Sequence, residues 1–88
     1  KCSACSRVIV MGEAYDTFCE RLAEAVKTIK IGPADDPSTT LGPVVDEDSQ
    51  ARVLKYVEIG KTEGKLLAQV PVPEHLEGRG YYVPASVF

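Results

Sequence analysis

The apolar and polar positions of this chain change period along its length, and each change marks an element. Arg7-Val8-Ile9-Val10-Met11 is a short apolar run closed by Gly12, the pattern of a strand buried in an α/β protein. From Ala14 to Lys30 the period lengthens. Tyr15, Phe18, Cys19, Leu22, Val26 and Ile29 recur at steps of three and four, which gathers them on one face of a helix. Asp16 in the first turn, Lys27 and Lys30 in the last, and Gly32-Pro33 beyond them suit the two ends of that helix. Phe18 and Leu22 are the residues this pattern assigns to its core.

Between Gly32 and Pro43 the composition turns to Gly, Pro, Asp, Ser and Thr, which predicts a connecting loop. Asp46 is placed to cap a second helix, Asp46 to Glu63, with Glu47 and Asp48 at its positive end and Val53, Leu54 and Val57 as its buried stripe. Lys61 and Gly64 close it, and Gly60 weakens its last turn by about 1 kcal/mol relative to Ala. Leu66-Leu67-Ala68 reads as a short strand. Pro71, Pro73, Gly78 and Gly80 break the next stretch, and Tyr81-Tyr82-Val83 resumes extended structure before Pro84. The order strand, helix, loop, helix, strand, loop, strand predicts an α/β arrangement in layers.

Composition narrows the function classes. With 88 residues, 44% hydrophobic and 26% charged, the chain can form one small domain or part of a larger one. A net charge of -3 and scattered Lys and Arg give no basic surface, which argues against nucleic acid and acidic membranes as partners. No apolar run approaches the roughly 18 residues needed to cross a bilayer, so a soluble protein without membrane insertion is expected. Three cysteines cannot all pair within one molecule, which fits a reducing, intracellular setting. The start at Lys1, directly inside a cysteine motif, reads as a cut end, so the chain is expected to be an internal piece of a longer one.

Candidate chemistry concentrates in Lys1-Cys2-Ser3-Ala4-Cys5-Ser6-Arg7. Cys2-x-x-Cys5 has the spacing of half a zinc site, but a closed site needs four ligands and only Cys19 and His75 remain to complete it. No metal is assigned. A redox dithiol of this spacing is expected after a strand and at a helix start, whereas here the predicted strand follows it. Cys19, on the apolar helix face, reads as a small buried hydrophobe.

Cys2, followed by small residues, Ser6-Arg7 and an apolar strand, resembles the active-site cysteine segment of aldehyde dehydrogenases, in which Gly-Gln-x precedes the nucleophile and Lys1 stands at x. The resemblance continues through Tyr15-Asp16-Thr17-Phe18, Lys30-Ile31-Gly32-Pro33, Leu41-Gly42-Pro43-Val44-Val45-Asp46, Ile59-Gly60-Lys61-Thr62-Glu63-Gly64-Lys65-Leu66-Leu67 and Gly80-Tyr81-Tyr82-Val83-Pro84-Ala85-Ser86-Val87-Phe88. Lys1, Ser3 and Val57-Glu58-Ile59-Gly60-Lys61 are most similar to the branch that oxidises glutamate γ-semialdehyde, the open form of Δ1-pyrroline-5-carboxylate, in proline catabolism.

The resemblance implies that residues 1–88 are part of the cysteine-bearing catalytic domain of an NAD-dependent enzyme, without its cofactor-binding domain. It implies that Cys2 attacks the aldehyde as a thiolate, giving a thiohemiacetal and, after hydride loss to NAD, a thioester. Lys1 and Ser3 are implied as substrate-binding residues. Ser49 and Arg52 fall near the position that contacts the cofactor's adenosine ribose, although ordinary exposure on a polar, solvent-facing helix surface explains both better. Arg7 is expected to form a structural ion pair and His75 to be a loop residue. The parent is expected to act on a small-molecule aldehyde, to be a homo-oligomer, and to be cytoplasmic if bacterial or in the mitochondrial matrix if eukaryotic. The 88 residues alone are expected neither to bind NAD nor to turn over.

Overall fold

The computed structural model describes residues 3–88. Two helices, α1 at Tyr15–Val26 and α2 at Glu47–Glu63, accompany a two-stranded antiparallel sheet of β1, Ala68–Val70, and β2, Ala85–Val87. Short 3-10 turns at Gly12–Ala14 and Glu74–Leu76 complete the regular structure among the described residues. The α/β class read from the sequence therefore holds.

The first predicted strand is corrected. Arg7 to Met11 is extended but joins no ladder, and Val8, Ile9 and Met11 are 61%, 93% and 83% exposed. A strand exists only through its partner's backbone groups, and β1 and β2 pair with each other. Gly12 does end the run, its φ of 48° turning the chain into the 3-10 turn that leads to α1.

α1 stops at Val26, four residues short of the predicted Lys30. Thr28 and Ile29 donate back three residues, to the carbonyls of Ala25 and Val26, so the final turn tightens and the chain leaves the helix. A pairing farther along outweighs the helical period. Thr40 and Leu41 both donate to the carbonyl of Lys30, Gly32 donates to that of Leu41, and Ile31 is buried. Val26 is the buried residue of α1, whereas Phe18 is 36% exposed and Leu22 is half-buried, which corrects the assignment of both to the core.

α2 begins as predicted. The Asp46 carboxylate accepts from the Ser49 amide at 2.7 Å, satisfying one of the helix's unpaired donors. Gly64 ends it in extended rather than left-handed backbone, donating to the Gly60 carbonyl at 2.8 Å. Val57 is buried, but Leu54 is 41% exposed and leaves the predicted stripe. Gln50 fills a role the pattern did not show: its side-chain amide donates to the Tyr82 carbonyl at 2.9 Å and ties α2 to the following layer.

Both remaining strands lie later in the chain than predicted. Ala68 pairs with Val87, Gln69 with Ser86 and Val70 with Ala85. Tyr82 and Val83 serve the core instead of a ladder, and Pro84, which has no amide hydrogen, precedes the first paired residue. The core joins Ile31, Leu76 and Tyr82, flanked by Ile29, Leu41, Val70 and Val72. Leu76 comes from the stretch read as broken loop.

This core is small for the chain. The accessible surface is 7053 Å², against about 5,000 Å² for a compact domain of this mass. The radius of gyration, 14.1 Å, likewise exceeds the roughly 12 Å of a compact chain this long. The excess lies partly over Val8, Ile9, Met11, Tyr15 and Phe18, an apolar surface that no other described element covers.

Candidate active-site segment

Lys1 and Cys2 lie outside the described residues. Ser3, the third of the predicted group, is exposed in a turn, and extended chain follows it from Ala4. Nothing bulky or β-branched stands between Cys2 and Cys5, and no ladder holds this stretch. Cys5 is exposed, carries a free thiol, and donates it to the carbonyl of Arg7 at 3.0 Å.

Among the described residues Arg7 takes part in no ion pair, contrary to the structural pairing expected of it. Among the described residues the pairs join Lys27 to Glu24, Lys30 to Asp36 and Lys61 to Glu58.

An open groove runs between the extended segment, α1 and the end of the sheet. Cys5, Val8, Phe18, Cys19, Leu67 and Phe88 are among the residues that line it. Cys19, half-buried on α1 where its pattern suggested full burial, also holds a free thiol. Hydrogen bonding with Cys19, reinforced by its charge, holds the Tyr15 hydroxyl above its ordinary pKa. Sequence reasoning did not show that Cys5 and Cys19 share a groove, because they belong to elements of different period.

Ser49 and Arg52 occupy the start of α2. Ser49 is half-buried and Arg52 exposed, and the guanidinium approaches the Ser49 hydroxyl at 3.4 Å, a long contact within one helix turn. The Ser49 amide is already committed to Asp46, whose carboxyl is held below its usual range first by the Ser49 hydrogen bonds and then by the Arg52 charge. This cap explains both side chains locally. Neither residue lines the groove beside Cys5, nor a second groove beneath Lys30 and His75. No hydrogen bond joins them to Ser3. Among the described residues, therefore, the substrate and cofactor candidates are not brought together.

His75 is exposed in the Glu74–Leu76 turn, a loop position as expected. No group of three or more His, Cys, Asp or Glu among the described residues is placed to hold a metal ion. A polar cluster does form in the loop after α1, where Asp36 accepts from the Ser38 hydroxyl and amide and from Lys30. These bonds, Ser38's first, lower the Asp36 pKa to about 2. Because Lys30 and Asp36 neutralise each other and Ser38 closes the turn, this cluster is structural.

Comparison with known proteins gives the segment its context. The aldehyde dehydrogenase family model matches residues 1–88. A 1-pyrroline-5-carboxylate dehydrogenase of Bacillus subtilis is 42% identical over 88 residues, covering 100% of this chain and 16% of the relative. One from Anoxybacillus flavithermus is 39% identical over the same span and share. The crystal structure of proline utilization A from Bdellovibrio bacteriovorus, inactivated by N-propargylglycine, superposes with a TM-score of 0.88 at 43% identity, covering 98% of this chain and 9% of that one. The chain spans 16% of the length of these two relatives. With the match running from its first residue to its last, and the same fold in a solved relative, the chain belongs to the aldehyde dehydrogenase family.

Proposed function

We propose that residues 1–88 are the cysteine-bearing part of the catalytic domain of an NAD-dependent dehydrogenase that oxidises L-glutamate γ-semialdehyde, formed from Δ1-pyrroline-5-carboxylate, to glutamate. The observation that carries this reading is identity of up to 42% over every residue of the chain with 1-pyrroline-5-carboxylate dehydrogenases. The uncovered apolar surface and small core favour a part that packs against further structure rather than a module standing alone.

In this reading Cys2 supplies the nucleophile. Its thiolate would add to the aldehyde carbon and give the thiohemiacetal, a step suited to sulfur because thiolate is strongly nucleophilic and can later be expelled. Ser3, exposed in its turn, would hold the polar end of the substrate together with Lys1. For NAD the described residues do not form a fitting cradle: Ser49 and Arg52 are engaged with the α2 cap and line neither groove. Among the described residues none is assigned to the cofactor, which is placed with the longer enzyme.

The test is substrate competition. The longer gene product that carries this chain should reduce NAD with glutamate γ-semialdehyde at a kcat/KM well above that for malonate semialdehyde. Equal or reversed preference would overturn the substrate, and no NAD reduction with either would overturn the activity.

A further inference from the structure

We draw no further inference here: the strongest candidate, the exposed apolar surface that Val8, Ile9 and Met11 of the extended segment form with Tyr15 and Phe18 of α1, carries nothing because nothing in the structure shows what covers it.

Discussion

Replacing Leu76 by Ala should weaken the 88-residue chain more than replacing Phe18 by Ala, the reverse of the ranking that side-chain size and helical pattern suggest. Leu76 is 6% exposed and packs against Ile31 and Tyr82, so its truncation removes apolar burial and leaves a cavity inside the core. The cost should be about 3 kcal/mol. Phe18 is already 36% exposed beside an open groove, so solvent fills the space its ring vacates and the cavity contribution falls away. Its loss should come to about 1–2 kcal/mol from reduced burial alone. The two losses differ by at least about 1 kcal/mol, so the two variants should separate. With an m-value near the low end for small proteins, about 1 kcal/mol/M, the urea midpoint followed by helical circular dichroism should drop by roughly 3 M for Leu76→Ala and about 1–2 M for Phe18→Ala. A larger drop for Phe18→Ala at unchanged m would refute the assignment of the core.

Three further outcomes are expected. Asp36 has a folded pKa of about 2, below its unfolded 3.8, so its contribution is present above 3.8 and is lost as pH falls toward 2. Acid unfolding over that window should be steeper for the parent than for Asp36→Asn, and equal slopes would remove the Ser38 and Lys30 bonds from the account. Asp46→Ala should lower the urea midpoint and the helical signal together by uncapping α2, whereas Asp46→Asn, which keeps an acceptor for the Ser49 amide, should retain most of both. Calorimetric titration of the isolated 88 residues with NAD should show no micromolar binding, and a measurable isotherm would contradict the assignment of the cofactor to the longer enzyme.

What the sequence made legible was local. The α2 cap at Asp46, the Gly64 stop and the loop between the helices depend on side chains within a few residues of each other, and all are found where the pattern put them. What it hid depends on distant partners. Arg7 to Met11 has the composition of a buried strand, but only a neighbouring strand can confer burial, and among the described residues none pairs with it. Ile29 and Lys30 continue a helical period, yet Thr40 and Leu41 claim the Lys30 carbonyl. Gly60 looked like a mere weak point of α2; a Cβ there would stand 2.8 Å from the Phe88 ring, so the glycine admits the ring against the helix. For the site, the family was legible through the residue order around Cys2, whereas the groove shared by Cys5 and Cys19 required the fold.

The most direct measurement is NAD-dependent oxidation of glutamate γ-semialdehyde by the longer enzyme, with a reductant present, comparing Cys2→Ser with Cys5→Ser. Serine at position 2 keeps the size but not the nucleophilicity of the thiolate, because its hydroxyl is barely ionised without a strong base beside it. The account predicts that Cys2→Ser abolishes turnover while NAD affinity stays within a few fold, and that Cys5→Ser keeps most activity. Substantial turnover in Cys2→Ser together with its loss in Cys5→Ser would contradict it.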